Sequence, residues 1–581
     1  MLTLIFIVLT TLGLAESDNS KYEVVLFHED NLTCRLFWDV DYSQKSIDIT
    51  IQLSGRVLSA DSSTLIGFGI SDRGGVNNAD ILLMEYSQEE VAIKDGWSDD
   101  AGFIHYDDIQ NYFLKTYEVA SNLITIEFWR YFDTLEDHDY KLENGTTNLI
   151  YLLSRGGEEN HSSSEAFPYN VQRTTTEKEL NVYNLKSGFI RVQLLKPEIP
   201  ESYFRNKNDG KIMSMTMLQP NISLPSSVTT YWSSIHKLPE SIVGKIHVIG
   251  FGPAISSNST GLIHHMLMYL CDPNDGKISP YSGFSASSNV PDDVRRCKRV
   301  IGGWAMGATT TWYPKEVGLP LGLSYQSRYL RLEVHYNNPF RRSGVVDNSG
   351  IRFFYTNHPR KYDSGVLEVG VTNSKTILGI PPQRDQFVLS GTCTKQCTLQ
   401  GLLPDGINIF ASHLHAHLAS RKIWVTHLRN GANLPEINRD DHYSTFFEEI
   451  RPIYPPMKVM PGDSLTTHCS YDTSNREKVT FTGPALTDEM CLTFLHYYPL
   501  APLELCTSAT SASSLTEFFV LEKLLKNRPQ HIDLEDVSPN YKNMRWDDET
   551  SIELDAWYKS AAQDIKCQHH DGSSFQDVTV L

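Results

Sequence analysis

Lys45-Ser-Ile-Asp-Ile-Thr-Ile-Gln-Leu53 alternates apolar and polar residues over almost its whole length. Successive side chains of a β-strand point to opposite faces, so this stretch predicts a strand with one buried face. Residues 123–129 and 149–153 show similar patterns, and turn-forming clusters such as residues 72–78 separate the strands. Helical periodicity is scarce, and residues 514–526 are the best candidate for a helix. The sequence therefore predicts an all-β protein made of antiparallel sandwiches.

The N-terminal segment is typical of a secretory signal peptide. Residues 1–15 are almost wholly apolar and precede the polar Glu16 and Ser17, although no Lys or Arg comes before the apolar core. No later run reaches the ~18 apolar residues that a membrane helix needs, so we expect no membrane anchor. We expect the protein in the lumen of the secretory pathway or outside the cell. Five Asn-x-Ser/Thr sequons are consistent with glycosylation there, and they lie at Asn31, Asn144, Asn160, Asn221 and Asn258.

The net charge and the number of cysteines indicate which partners the protein does not bind and how its cysteines pair. The formal charge of −19 is spread along the chain without long acidic blocks, which favours a solvated surface and argues against nucleic-acid binding. The chain has nine cysteines, and an oxidising lumen favours their pairing. Because nine is an odd number, at least one cysteine is free or pairs with another chain.

Three closely spaced histidines give the strongest indication of a metal site. His413, His415 and His417 occupy alternate positions, so all three rings could face one pocket if the segment is a strand. Imidazole is the commonest metal donor among protein side chains. Three of them within five residues favour a metal site over a structural role.

Other candidate donors are ambiguous when each is taken alone. His264 and His265 would point to opposite faces of a regular strand, so both reach one ion only through a bulge, a twist or different ring nitrogens. A pair of hydrogen-bonded structural histidines explains this doublet equally well. His335 alone indicates a structural histidine, and Met490 alone indicates a core residue. Imidazoles with a thioether form a donor set suited to copper that alternates between Cu(II) and Cu(I), whereas zinc sites seldom use methionine.

Five segments that contain the candidate donors or lie between them occur in a fixed order along the chain. They are Gly261-Leu-Ile-His-His-Met, Trp304-Ala-Met-Gly-Ala, Tyr329-Leu-Arg-Leu-Glu-Val-His, Leu414-His-Ala-His-Leu and Asp488-Glu-Met-Cys. They resemble segments of the copper type II, ascorbate-dependent monooxygenases, the family of dopamine β-hydroxylase, tyramine β-hydroxylase and the peptide amidating monooxygenase. Residues 347–355 and 360–370 also match the DBH-like monooxygenase proteins, which are the best match within the family. The resemblance runs from about residue 185 to about residue 510.

The N-terminal part resembles a DOMON domain through Ile66-Gly-Phe-Gly-Ile70 and Asn78-Ala-Asp-Ile-Leu82. The dopamine β-hydroxylase branch has such a domain, whereas the amidating enzymes lack it. The resemblance implies a DOMON β-sandwich followed by two jelly-roll-like β-sandwich copper domains. The expected layout is a signal peptide at residues 1–15, a DOMON domain at 21–155, a first copper domain at 185–345, a second copper domain at 346–510 and a C-terminal extension at 511–581.

The resemblance also implies two copper sites with different tasks. The first, all-imidazole site passes electrons, and the second binds oxygen and attacks the substrate. A soft sulfur donor favours Cu(I), which must form before oxygen binds. The implied ligands are His264, His265 and His335 for the first copper, and His415, His417 and Met490 for the second.

Four further side chains are of interest around these sites. Tyr231 matches a family tyrosine with an assigned catalytic role, although a packed aromatic side chain explains it equally well. His415 counts as catalytic because it belongs to the oxygen-binding site. Glu368 matches an acidic residue that could face a substrate ammonium, with a surface charge as the alternative. His413 matches no family ligand, and we expect its side chain to lie near the second copper site, where it would hydrogen-bond to and orient one of the ligands.

The family's disulfide pattern also carries over, with one bridge missing. Ser233 replaces a family cysteine, and residues 272–296 contain no partner cysteine, so both halves of one bridge are absent together. Cys34 is then the ninth cysteine, either free or joining two chains, and an oligomer could form through it. The implied pairs are Cys271–Cys297, Cys393–Cys506, Cys397–Cys567 and Cys469–Cys491.

The resemblance favours a copper- and ascorbate-dependent monooxygenase that acts on an activated C–H bond of a small substrate, and an arylethylamine-like amine is the expected substrate. O2 would supply the inserted oxygen atom, ascorbate would supply two electrons, and the second oxygen atom would leave as water. Two alternatives stay open. One is a peptide α-hydroxylating monooxygenase, which the DOMON-like segment disfavours. The other is a non-catalytic luminal protein that binds copper, or a ligand through its DOMON-like domain.

Overall fold

The computed structural model describes residues 22–29, 32–55, 64–87, 90–120, 123–155, 180–204, 209–259, 261–271, 276–306, 308–324, 326–338, 341–371, 377–526, 531–569 and 572–576. The predicted signal peptide and the sequons at Asn31 and Asn160 lie outside these residues. The chain divides into two compact units, Met1–Leu195 and Lys196–Leu581. Within the described residues, no helix is both long enough and apolar enough to cross a membrane.

The first unit is a sandwich of two antiparallel sheets. Its described strands are β1 (Tyr22–Glu29), β2 (Leu32–Asp41), β3 (Ser46–Gly55), β4 (Thr64–Ser71), β5 (Asp80–Ser87), β6 (Glu90–Ser98), β7 (Ile104–Tyr106), β8 (Phe113–Ala120), β9 (Leu123–Tyr131), β10 (Thr147–Arg155) and β11 (Lys186–Val192). One sheet has the order β1-β2-β3-β9-β8 and the other has the order β11-β10-β4-β5-β6-β7. Apolar side chains from both sheets share one core.

Strand β3 shows why this unit folds as a sandwich. Its alternate residues Ile47, Ile49, Ile51 and Leu53 are each at most 1% exposed, while the residues between them are more open. Burying one face of a strand against a second sheet removes apolar side chains from water, which is the main stabilising contribution to such a fold. The predicted half-buried strand is therefore confirmed.

The second unit holds most of the remaining elements. Its described strands are β12 (Met213–Leu218), β13 (Ile222–Ser223), β14 (Thr229–Lys237), β15 (Ile246–Ala254), β16 (Ile263–Leu270), β17 (Ser282–Phe284), β18 (Arg299–Ala305), β19 (Thr311–Trp312), β20 (Val317–Leu321), β21 (Tyr329–Asn337), β22 (Val346–Asp347), β23 (Gly350–Thr356), β24 (Tyr362–Asp363), β25 (Gly365–Val371), β26 (Gly379–Ile380), β27 (Phe387–Cys393), β28 (Ile407–His415), β29 (Ser420–Arg429), β30 (Ala432–Asp440), β31 (Arg451–Val459), β32 (Ser464–Tyr471), β33 (Thr480–Phe481), β34 (Leu492–Tyr498), β35 (Leu503–Thr510) and β36 (Gln563–His569). Its helices are α1 (Asp292–Arg295), α2 (Lys395–Gly401), α3 (Ala512–Lys526), α4 (Ser538–Asn543) and α5 (Asp548–Ser560), and short 3₁₀ turns cover Val182–Asn184, Glu201–Tyr203 and Ser257–Ser259 of the chain.

Two sandwiches make up this second unit. The amino-terminal sandwich pairs the sheet β12-β23-β15-β20-β24 with the sheet β17-β14-β21-β16-β18. The carboxy-terminal sandwich pairs the sheet β31-β28-β34-β25-β35-β36 with the sheet β27-β32-β29-β30. Strand pairing is antiparallel in these sheets except between β20 and β24 and between β25 and β35. Each sandwich has an apolar core, and the core of the amino-terminal sandwich also includes Phe410 and Ala411 of β28.

Strand pairing places two boundaries later than the sequence predicted. The predicted end of the DOMON domain is residue 155, but β11 pairs with β10 and the first unit ends at Leu195. The predicted end of the first copper domain is residue 345, but β23 pairs with β12 and β15 of the amino-terminal sandwich. Neither difference has a local sequence signal, because the sheet that a strand joins depends on its pairing partners elsewhere in the chain.

The C-terminal residues pack into the carboxy-terminal sandwich. Helix α3 confirms the predicted helix, and it buries Leu515, Phe518 and Phe519 in the sandwich core. Strand β36 then adds to the edge of the sheet beside β35. The described tail is thus part of this domain's core.

The structure contains four disulfides, and all eight cysteines are buried. Cys34 lies in the first unit as a buried free thiol. An intermolecular disulfide through Cys34 would require the sandwich to open, because its side chain is inaccessible. The bridges are Cys271–Cys297, Cys393–Cys506, Cys397–Cys567 and Cys469–Cys491.

Candidate metal centres

Two neighbouring strands build the first histidine set, which consists of His264, His265 and His335. His265 on β16 lies opposite His335 on β21, and the register shifts between Ile263 and His265. This bulge places the extra residue, His264, so that both members of the doublet can face the same point. The sequence left a bulge and a regular strand as alternatives, and the structure contains the bulge.

The ring nitrogens of this set converge. The Nδ1 atoms of His264 and His265 are 2.9 Å apart, and those of His264 and His335 are 3.2 Å apart. Burial, together with the neighbouring imidazoles, lowers the pKa of His335 to about 2 and the pKa of His265 well below its usual value. Because neutral rings that converge through the same atom cannot all donate to one another, a metal ion fits this cluster well.

Tyr231 packs directly against this set. It lies opposite His335 on the adjacent strand β14, and the two rings stack with centroids 4.1 Å apart and planes 6° from parallel. Burial raises the pKa of Tyr231 well above its usual value, so the phenol stays neutral. The described geometry supports an orienting role for its ring, and a catalytic role for its hydroxyl stays a prediction.

The second ligand set, which consists of His415, His417 and Met490, is assembled from more distant segments. His415 ends β28, His417 follows two residues later, and Met490 precedes β34. His415 Nδ1 lies 3.1 Å from Glu448 Oε1, and His417 Nδ1 lies 3.1 Å from the carbonyl oxygen of Asp488. Both Nδ1 atoms are therefore engaged, and each Nε2 atom is left to bind a metal, as is common for metal-binding histidines.

A buried carboxylate attaches the Met490 segment to the histidine loop. Glu489 accepts hydrogen bonds from the backbone N–H groups of His417, at 3.0 Å, and Ala419, at 2.6 Å. The Tyr471 hydroxyl donates to the carbonyl oxygen of Met490 at 2.6 Å. These contacts hold the thioether segment next to His417, and burial raises the pKa of Glu489 to about 7 despite its two backbone donors.

Electrostatics differ within the second set. Burial would lower the pKa of His415, but the charge and hydrogen bond of Glu448 outweigh it and raise that pKa. Burial would raise the pKa of Glu448, but His415 and, to a smaller extent, the nearby imidazoles of His413 and His264 reverse this and lower the Glu448 pKa to about 2. Burial lowers the pKa of His417 to about 4. Among the described residues, a carboxylate thus hydrogen-bonds to the imidazole of His415 but not to that of His417.

Glu368 lies on the same sheet face as this set. Registers place His413 opposite Phe494 on β34, and place Phe494 opposite Glu368 on β25. Residues directly opposite one another share a face, and two strand spacings correspond to about 10 Å. Burial raises the pKa of Glu368 to about 7. The apolar side chains near this row are Val300, Val366, Met490, Leu492 and Phe494.

The two sets lie close together in this structure. The ring centroids of His265 and His415 are 6.3 Å apart, and the ring centroids of Phe446 and His264 are 5.3 Å apart.

The sequence did not point to two carboxylates near these sets, Glu448 and Glu489. Glu489 adjoins Met490 and could have been suspected from that position, whereas Glu448 lies in an irregular segment with no periodic signal.

Three β-sandwiches are present among the described residues, and the second and third carry donor sets of the kind that transition metals prefer, the first set buried and the second partly buried. One set has only imidazoles, and the other combines imidazoles with a soft thioether, which suits a redox-active copper.

Comparisons with known proteins agree with this donor chemistry. The sequence matches the DOMON domain over residues 30–154, the N-terminal domain of the copper type II ascorbate-dependent monooxygenases over residues 215–343 and their C-terminal domain over residues 362–519. Human dopamine beta-hydroxylase is 37% identical, and the match covers 96% of this chain and 85% of that protein. Tyramine beta-hydroxylase of Caenorhabditis briggsae is 31% identical over 89% of this chain and 82% of that protein.

The chain therefore belongs to the copper type II ascorbate-dependent monooxygenase family, and it is an oxidoreductase that uses copper, ascorbate and O2. Human DBH-like monooxygenase protein 1 is 30% identical over 94% of this chain and 86% of that protein. Identity is thus higher with the dopamine beta-hydroxylase than with this DBH-like protein, although the sequence motifs indicated the DBH-like proteins.

Proposed function

We propose that this enzyme hydroxylates an activated C–H bond of a small amine of the arylethylamine type. Glu368 carries the proposal, because it places a half-buried carboxylate on the same sheet face as His413 and His415, with Phe494 between them. A carboxylate in an apolar pocket strongly favours a cationic ligand, since uncompensated burial of a charge is costly. Relatives named for dopamine and tyramine support the same substrate class.

The protein's own residues would orient such a substrate. The Glu368 carboxylate would bind the ammonium group, and the ring of Phe494 would contact the aromatic part. The small apolar cluster around Met490 would exclude water from the reacting end. Bound copper would supply electron transfer and oxygen activation, with ascorbate as the reductant.

The two ligand sets are proposed to hold these coppers. The first histidine set would bind the electron-transferring copper through its converging Nδ1 atoms. The second ligand set would bind the oxygen-activating copper through two Nε2 atoms and the Met490 sulfur. His413, whose Nε2 is 3.9 Å from Glu448, would support this second set without binding the metal.

Oxygen uptake with matched substrates tests the proposed substrate class. We expect copper- and ascorbate-dependent uptake with phenylethylamines, and at least a tenfold lower kcat/KM for neutral analogues in which a hydroxyl replaces the amine. Removing one hydrogen bond to a charged group costs about 1.5–3 kcal/mol. Glu368→Gln should therefore raise the KM of the amine by tenfold or more and leave the neutral analogue unchanged. Equal losses for both substrates would contradict the assigned ammonium site.

Entry into the secretory pathway is proposed on separate grounds. Four disulfides favour an oxidising compartment, and the sequon residues Asn144, Asn221 and Asn258 are exposed. Expression in animal cells followed by endoglycosidase treatment should increase the mobility of the protein on a gel. An unchanged mobility, with the protein in the cytosolic fraction, would refute this location.

A further inference from the structure

A buried carboxylate that belongs to neither ligand set lies between them. Glu448 follows β30 in an irregular segment, and its side chain is 1% exposed. Its two oxygens lie 3.1 and 3.3 Å from His415 Nδ1. A carboxylate that accepts this hydrogen bond fixes the tautomer and the orientation of a metal-binding imidazole.

The same carboxylate also faces the first histidine set. Glu448 Oε2 is 4.0 Å from Nδ1 of His265 and 3.9 Å from Nε2 of His413. His265 Nδ1 is one of the three nitrogens that converge on the first site. One negative charge therefore lies against donor groups from both sandwiches.

A tyrosine fixes the position of this carboxylate. The Tyr443 hydroxyl accepts a hydrogen bond from the backbone N–H of Ala416 at 2.8 Å, and it contacts Glu448 Oε1 as a donor. Ala416 lies between His415 and His417, so this contact connects the carboxylate to the backbone of the second set. The nearby Arg451 guanidinium donates to Asp440 at 2.7 Å. A buried charge needs compensation, and the imidazoles and their metals are suited to provide it.

We propose that Glu448 is a positioning residue shared by both copper centres. It orients His415, and it places one negative charge between the two sets so that copper is stabilised at both. The inference rests on the ligand sets proposed above and does not depend on the substrate.

Copper competition with a chromophoric chelator tests the first part. Glu448→Gln should lower the affinity of the second copper by about 10–100-fold, which is the usual cost of losing such a partner. Glu449→Gln is the matched control, because it removes the same charge from the next residue. The Glu449 carboxylate lies 3.9 Å from Lys196 and Arg451. We expect Glu449→Gln to stay within twofold of wild type, and wild-type affinities in Glu448→Gln would overturn the proposal.

The effect of Glu448 on the first copper can be measured separately. In a His417→Ala background only the first copper should remain, and adding Glu448→Gln should weaken its binding at least threefold and change its Cu(II) EPR spectrum. An unchanged affinity and spectrum would overturn the shared role. Thermal unfolding of the apo proteins checks that each variant folds.

Two further variants keep the outcome decisive. If Glu448→Gln does not fold, Tyr443→Phe keeps the carboxylate but releases it from Ala416, and it should weaken the second copper several-fold. A wild-type affinity in Tyr443→Phe would then overturn the proposal. His415→Ala separates the possible failures. Loss of the second copper in His415→Ala but not in Glu448→Gln refutes only the role of Glu448, whereas retention of it in His415→Ala refutes the ligand set as well.

Discussion

The two candidate copper centres of this protein are built in different ways. The first histidine set comes from two neighbouring strands, and one bulge brings its three nitrogens together. The second ligand set combines a strand end, the loop after it and a segment that lies some seventy positions later in the chain. Carboxylates and a disulfide hold these parts together. The comparison indicates that backbone register preforms the first centre, whereas side-chain contacts hold the second.

The largest expected effect is at the sulfur donor of the second set. Met490→Ile keeps an apolar side chain of similar volume but removes the thioether, so folding should survive. Losing a supporting contact costs about 10–100-fold in metal affinity or activity, and losing a ligand should cost at least a hundredfold in kcat. Oxygen uptake and copper stoichiometry measure this. Met217→Ile, at a core position of the amino-terminal sandwich, is the control, and an unchanged kcat in Met490→Ile would refute the second set.

Mild reduction should sharpen the contrast between the two centres. Cys393–Cys506 closes a loop of over a hundred residues in the carboxy-terminal sandwich, and Cys469–Cys491 holds the segment beside Met490. In the chain-entropy model, closing so long a loop contributes about 4–5 kcal/mol, although strain often reduces this. The second copper should therefore be lost before the first as reductant increases. Metal analysis with non-reducing peptide mapping follows this, and earlier loss of the first copper would contradict the comparison.

Glu489→Ala should weaken the second centre alone. It leaves the buried backbone N–H groups of His417 and Ala419 without their acceptor, at a cost of about 1–3 kcal/mol each. We expect roughly a tenfold to hundredfold lower affinity for the second copper and no change at the first. Chelator competition measures both, with the exposed Glu477→Ala as the control. An equal loss at both centres would contradict the assignment of Glu489 to the second centre.

The pH dependence of substrate binding should arise from Glu368, which lies on the same sheet face as the second ligand set. The pKa of Glu368 is raised to about 7, so its carboxyl is protonated below this pH and ionised above it. An alkylammonium keeps its charge to about pH 10. The kcat/KM for an amine should therefore rise about tenfold from pH 6 to pH 8, and Glu368→Gln should flatten the profile. A profile that is unchanged in Glu368→Gln would assign the titration to another group.

The smallest expected effect concerns Tyr231 at the first centre. Tyr231→Phe keeps the ring that stacks on His335 and removes only the hydroxyl. We attribute the contribution of Tyr231 to ring stacking, which is worth about 0.5–1.5 kcal/mol and is kept in Tyr231→Phe. We therefore expect kcat and the affinity for the first copper to stay within about threefold of wild type. A tenfold fall in kcat with normal copper binding would instead support the predicted catalytic role of the hydroxyl.

Much of the site could be predicted because donor identity is a local property. The alternation of His413, His415 and His417 indicated a strand that faces a metal, and β28 covers the first two of these residues. The doublet at His264 could not be resolved, because a bulge depends on the pairing of β16 with β21 and leaves no sign in either strand alone. Met490 became a candidate ligand only through the family resemblance, since a single methionine carries no pattern.

The all-β class, the donor types and the cysteines available for bridges could be predicted from the amino-acid sequence, because side-chain chemistry and the two-residue period of a strand are local properties. How these parts come into contact depends on the folded structure. In the folded protein, Glu448 lies between the two ligand sets, Glu489 accepts a hydrogen bond from the backbone of His417, and Glu368 lies opposite Phe494 in the sheet. Strand β23 also returns to an earlier sheet. The physical reason is that these contacts join residues far apart in the chain, and their distances depend on sheet pairing that no single stretch encodes.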